Sequence, residues 1–115
     1  MALAAADAMS EKKGLDILLL DVGDLITITD VFVIATGTSR PHVQTLAEEV
    51  EKRLKESGRP PLRSEGRREA EWVLIDFGDV IVHVFQPEHR DFYGLERLWG
   101  DAPVIEWEPA EAESA

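Results

Sequence analysis

This sequence predicts a mixed α/β domain, with helices packed on a sheet of about five strands. Three features point to it. Trp72–Phe85 carries two β-branched apolar runs, Val73–Ile75 and Val80–Phe85, on either side of the turn Asp76-Phe77-Gly78-Asp79, which reads as a β-hairpin. Ile17–Val22 and Val31–Thr36 are two more apolar runs too short for helices. Between them and the hairpin, Val43, Leu46, Ala47, Val50 and Leu54 recur at helical spacing.

In chain order, Leu3 to about Lys13 is an alanine-rich helix with Gly14 as its C′ residue. Ile17–Val22 is a strand, Gly23-Asp24 a turn, and Leu25–Thr29 crosses back to Asp30. Val31–Thr36 follows as a strand expected to pair antiparallel with the first, being close in sequence. Gly37-Thr38-Ser39 leads into the striped helix, with Ser39 as N-cap and Pro41 in the first turn, where a missing N–H does little harm. Gly58 and Pro60-Pro61 stop it. Leu62–Glu71 reads as a charged, mobile loop before the hairpin. Pro87 opens a last helix with Phe92, Leu95, Leu98 and Trp99 facing inward and Gly100 closing it. Pro103–Trp107 is expected as a short final strand. The predicted order is α-β-β-α-β-β-α-β, one domain over residues 1–107, with an acidic, disordered tail at 108–115.

At 115 residues the chain is long enough for one core without staples. It has no cysteine, which excludes disulfides, thiol nucleophiles and Cys-based zinc sites. It has neither an apolar run of membrane-spanning length nor a signal-peptide pattern, so a cytoplasmic protein is expected. Twelve basic against 23 acidic residues give a net charge of −11. Such a surface repels phosphate and anionic membranes and favours a basic partner.

The chemistry-bearing motifs resolve into structure. Asp76-Phe77-Gly78 matches a kinase tripeptide by letters, but the glycine-rich loop, strand lysine and catalytic loop are missing, which leaves a hairpin turn. Gly37-Thr38-Ser39 at a strand-to-helix junction could take an anion. Nucleotidyltransferases use such a turn beside paired carboxylates, yet no Asp-x-Asp pair lies on any strand here, so a two-metal centre lacks ligands. His42, His83 and His89 show no metal-ligand spacing, and no nucleophile triad is visible. Two substantial helices and one weak one do not obviously cover both faces of five strands, so an exposed apolar face is expected to bind a partner. Trp72, where the hairpin leaves a charged loop, reads either as a lid over its own core or as an exposed anchor among carboxylates.

The residues also carry a resemblance. Asp16, Asp21-Val22, Thr29-Asp30, Gly37-Thr38-Ser39, His42-Val43, Glu65-Gly66, Trp72–Asp76, Gly78-Asp79-Val80 and Val82-His83-Val84 stand in family order and spacing. Arg90, Tyr93, Leu95-Glu96, Leu98-Trp99 and Asp101-Ala102-Pro103 complete the set. On these the chain resembles the RsfS family of ribosomal silencing factors, the Iojap-like family. It departs from the pattern at Pro41, where the family usually has Arg; here Arg40 comes one position earlier. The resemblance implies a fold related to nucleotidyltransferases without their catalytic centre, and no enzyme activity, cofactor or metal. It implies binding to a large-subunit ribosomal protein of the L-fourteen type, a steric block to small-subunit joining, and repression of translation in starvation. A role in large-subunit assembly is the alternative, and self-association as a homodimer is possible. The expected contact residues are Trp72 and Leu74 as apolar anchor, Phe77 at the turn, and Asp76 and Asp79 paired with cations, with Glu65 a weaker candidate. By strand alternation, Trp72, Leu74 and Asp76 share one face while Val73 and Ile75 turn to the core.

Overall fold

The computed structural model describes residues 1–109. Its elements are α1 (Ala2–Glu11), β1 (Leu15–Asp21), β2 (Val31–Thr36), α2 (Arg40–Glu56), β3 (Arg63–Glu65), β4 (Trp72–Asp76), β5 (Val80–Phe85), α3 (Pro87–Tyr93) and α4 (Leu95–Leu98). The strands form one mixed sheet in the order β1-β2-β5-β4-β3. Every neighbouring pair is antiparallel except the central β2–β5 pair, in which Val31 stands opposite Val80 and Thr36 opposite Phe85.

One face of this sheet is covered in depth. Ala5, Ala6, Ala8 and Met9 of α1 and Val43, Leu46, Ala47, Val50 and Leu54 of α2 are almost wholly buried against Leu19, Val33, Ala35, Val73, Ile75, Val82 and Val84. The alanines carry little bulk, which lets α1 lie close to the sheet. Ser39 caps α2 as the sequence predicts, its hydroxyl accepting from the His42 N–H at 3.2 Å. Gly37 has no alternative: a Cβ there would stand 2.8 Å from Val43 Cγ2, so only glycine lets the helix start against the end of β2.

The other face holds a second cluster of Leu20, Val22, Phe32, Ile34, Ile81, Phe85, Leu95 and Ala102. Its cover is thin, being the two short helices α3 and α4 and the irregular chain around them.

Several elements differ from expectation. The loop at 62–71 contains a strand, β3, in which Arg63, Ser64 and Glu65 pair with Asp76, Ile75 and Leu74. Three charged or polar residues give no apolar signal, and the strand exists because it completes the edge of β4. The strand expected at Pro103–Trp107 reduces to a single bridge, Leu20 to Val104, although Asp21 N–H to Pro103 O and Ile105 N–H to Leu19 O still lay this segment along β1. The last helix is cut in two by Gly94, which adopts φ 54° and ψ 47°. The cut reorients the second half, so Leu95 stays buried while Phe92 and Leu98 turn outward, 78% and 71% exposed. After α1 the left-handed residue is Lys13, φ 66°, not Gly14, whose place is set by space: a Cβ would meet Met9 O at 3.0 Å. Residues Leu25–Thr29 form an irregular loop in which Val22 O accepts from both Leu25 and Ile26 N–H. Of the tail expected at 108–115, residues 108 and 109 carry no regular structure and the remainder lies outside the described residues.

Gly66 fixes the approach to β4. It adopts φ 86°, and a Cβ there would overlap the Trp72 carbonyl oxygen. Substitution therefore combines backbone strain with a clash against main chain. Gly66→Ala is expected to lower the unfolding free energy by about 2 kcal/mol or more, measured by urea titration. An unchanged midpoint would show that the 63–71 segment does not close on β4.

Candidate functional site

The thinly covered face is where β4 places its alternate residues. Val73 and Ile75 are fully buried toward α1 and α2, while Trp72, Leu74 and Asp76 point the other way and are each half-buried. Across the β4–β5 ladder, Trp72 stands opposite Phe85, Leu74 opposite His83 and Asp76 opposite Ile81. On the outer side Leu74 stands opposite Glu65 and Asp76 opposite Arg63. The face sharing read from alternation is therefore the arrangement the sheet adopts.

Trp72 is held from two sides. Its ring stacks on Phe85 with centroids 5.1 Å apart and leans on Tyr93 at 4.6 Å. Its Nε1–H donates to His83 Nδ1 at 3.1 Å. That bond requires a bare Nδ1, so His83 is the neutral tautomer with its proton on Nε2. The Nε2 atom is buried without a hydrogen-bond partner. Burial, with no anion to offset it, pushes the His83 imidazole down to about 4. Phe32 packs edge-on against His83 at 4.9 Å and against Trp99 at 5.7 Å, and Phe92 packs edge-on against Tyr93 at 5.1 Å. Phe92, Tyr93, Trp72, His83, Phe32 and Trp99 thus form an unbroken run of ring contacts. Trp72 is both lid and surface: part of it seals Phe85, and the remainder meets solvent.

The acidic residues are less free than their sequence positions suggest. Asp76 Oδ1 accepts from the Gly78 N–H at 2.8 Å, closing the hairpin turn, and Oδ2 faces Arg63 Nε at 3.3 Å. Asp79 pairs with Arg59 at 2.8 Å and stays half exposed. Glu65 shares the Leu74 side of the sheet and is paired with Arg63. Phe77 requires a correction. Expected as a contact at the turn, it is 4% exposed and belongs to the helix-side core, because the turn folds its ring inward beside Val80.

Tyr93 and Phe92 are the surface residues that sequence reasoning missed. The available signal was Gly94, one residue after Tyr93 within a supposed helix; a left-handed break there redirects the next turn and leaves the preceding aromatics uncovered.

The anion-binding reading of Gly37-Thr38-Ser39 meets a turn whose first two N–H groups are already bonded internally. The Gly37 N–H donates to Phe85 O, and the Thr38 N–H donates to His42 Nδ1 at 2.9 Å. His42 Nε2 in turn donates to Lys12 O at 2.8 Å, so the ring bridges the turn to the end of α1. Among the described residues, no three His, Asp or Glu side chains come together as a metal-ligand group.

The family model described as "Ribosomal silencing factor during starvation" matches residues 1–115. The ribosomal silencing factor RsfS of Halalkalibacterium halodurans is 44% identical over 104 residues, covering 90% of this chain and 89% of its own. A crystal structure of a Chromobacterium violaceum protein is similar with a TM-score of 0.83 at 41% identity, covering 93% of this chain and 85% of that one. A mouse protein named for mitochondrial assembly of the ribosomal large subunit is 33% identical over 94 residues, which is 79% of this chain and 41% of the mouse protein.

The buried His83 makes stability depend on pH. The unfolded chain takes up a proton below about pH 6.5, whereas the native ring resists it down to about 4. Native stability is therefore fully present above pH 6.5, declines as pH falls from 6.5 to 4, and levels off below. The loss from this group is expected to be about 3 kcal/mol. Urea unfolding of the protein and of His83→Gln at pH 7, 5.5 and 4 measures it; equal declines in the two would assign the effect to other groups.

Proposed function

The chain belongs to the family of ribosomal silencing factors, and on that premise we propose that it represses translation by obstruction, docking on the large ribosomal subunit and blocking the small one. The contact is the strip of Trp72 and Leu74 on the thinly covered sheet face, extended by Tyr93 and Phe92. The docking partner is a basic protein of the large subunit, of the L-fourteen type. The protein performs no chemistry in this role and works in the cytoplasm.

The observation that carries this reading is the half-buried Trp72. Its hydrogen bond to His83 and its stacking on Phe85 fix the indole before any partner arrives. A preset aromatic loses little conformational freedom on binding, which suits an interface anchor. The charge of −11 complements a basic ribosomal protein and steers the encounter. Glu65 beside Leu74, with Asp76 and Asp79 at the turn, keeps the rim net negative after pairing with Arg63 and Arg59. The mouse relative's name favours a second reading, large-subunit assembly, which uses the same face at an earlier time. Accumulation of immature large subunits in cells lacking the protein would support it.

Co-sedimentation with separated subunits tests the proposal. Binding to large subunits and inhibition of joining are expected; binding to small subunits alone would overturn it. Trp72→Ala is expected to weaken association by about 2 kcal/mol or more, with the melting temperature measured in parallel to separate lost contact from lost fold. Glu65→Lys is expected to weaken association about five- to tenfold at low salt and less at high salt, through screening. A salt-independent loss would count against charge pairing at this rim.

A further inference from the structure

Beside Trp72 the structure contains a cleft that the docking strip alone does not use. It has a volume of about 260 Å³ and is lined by Gly66, Glu69, Glu71, Trp72, His89 and Tyr93. We infer that this cleft seats one lysine or arginine side chain of the protein partner, between the aromatic rings and the two carboxylates. The inference rests on the docking proposed above and names the chemistry of one contact within it.

The cleft is built rather than incidental. Gly66 closes the 66–71 segment onto the Trp72 carbonyl, where a side chain has no room. The buried Ala70 takes φ 52°, and its carbonyl accepts from Gln86 Nε2 at 2.9 Å, which ties the segment to the start of α3. Trp72 and Tyr93 form one wall, with centroids 4.6 Å apart and planes tilted by 44°.

Its chemistry selects a cation. Neither Lys nor Arg lines it. The nearby Arg67 is drawn away to Glu51 on α2 and to Ser64. Glu69 has no ion-pair partner among the described residues, and Glu71, 57% exposed at its side chain, meets only His89, at 3.7 Å. That spacing is longer than a hydrogen bond, so the carboxylate is available. His89 Nδ1 also lacks a partner. Aromatic faces carry negative potential and attract ammonium or guanidinium groups within about 6 Å of the ring centroid. Carboxylates at the mouth add attraction and reject anions.

The occupant is a side chain of the docked protein because the Trp72 wall belongs to the proposed contact strip itself. A molecule of charge −11 settling on a basic surface brings cations to this rim.

The test measures affinity for purified large ribosomal subunits, with melting temperature as a control, for the wild type and four variants. Glu71→Gln is expected to weaken binding about fivefold and to flatten the salt dependence, and Glu71→Lys to weaken it more than about tenfold. Tyr93→Leu, which keeps bulk and removes the aromatic face, is expected to weaken binding about fivefold. All three are expected to melt near the wild type. If Trp72→Ala weakens binding while neither Glu71 variant does, the cleft is not a cation seat and the docking strip stands. If the wild type does not bind large subunits, both readings fall. Should Tyr93→Leu unfold, the two Glu71 variants, altered at an exposed side chain, decide the matter.

Discussion

Five strands present two faces, and among the described residues only two helices are long enough to cover one. That shortage of cover governs the rest of the structure. α1 and α2 are both spent on the Val33–Val73–Val82 side, where small alanines and a regular stripe make a sealed core. The opposite side receives seven- and four-residue helices and a length of irregular chain. Full burial of β5 shows that the centre of that side is nonetheless closed, and the opening lies over β4, where alternate residues remain half-buried. An apolar strip left partly wet is unfavourable in an isolated domain, and a docked partner would remove it from water.

The sheet's other potential meeting places are guarded. Edge strands offer unpaired N–H and C=O groups to any passing chain. On one side the edge is β3, only three residues long and bearing Arg63 and Glu65. On the other side, the 103–105 segment lies along β1 and takes up hydrogen bonds from Asp21 and to Leu19. With both edges blunted, association by strand addition is disfavoured, and the half-buried residues over β4 form an apolar strip separate from those edges. Asp76 and Asp79 hold the hairpin turn and Arg59, so their charge shapes the field around the strip while their oxygens are committed at home.

The parts legible in the sequence are those whose signal is local. Strand β2, the stripe on α2, its Ser39 cap and the hairpin follow from period and turn chemistry, and each appears where the pattern placed it. The parts that were not legible depend on neighbours. β3 is a strand because Leu74 and Asp76 offer a free ladder, a fact about β4 rather than about Arg63-Ser64-Glu65. Residues 103–107 look like a strand but make only one bridge; β1 itself is irregular near Asp16, which takes φ 48° and where the pairing with β2 shifts register. For the site, alternation along β4 was enough to group Trp72 with Leu74. It could not reveal that Phe77 folds into the core, or that the Gly94 break hands Tyr93 to the surface. Nor could spacing alone have joined Trp72 to His83, eleven residues apart, without the register of the hairpin.

The central parallel pair bears on where a ligand could sit. In open α/β sheets, ligands collect at the carboxyl ends of parallel strands, where a helix N-terminus offers free N–H groups. Here β2 and β5 end together beneath the start of α2, so the geometry for such a site is present. Four of its donors are taken. Phe85 O, the His42 ring and the Ser39 side chain and carbonyl receive the N–H groups of Gly37, Thr38, His42 and Val43. The His42 ring then fastens the turn to the end of α1. An anion taking those four N–H groups would have to displace four internal acceptors in a molecule already strongly negative. The strand ends thus serve to lock α1, α2 and the sheet into one rigid body, and rigidity is what a molecule needs if it is to act by occupying space. The half-buried strip lies on the face of the sheet, where Trp72 is fixed by its bond to His83 and its stacking on Phe85.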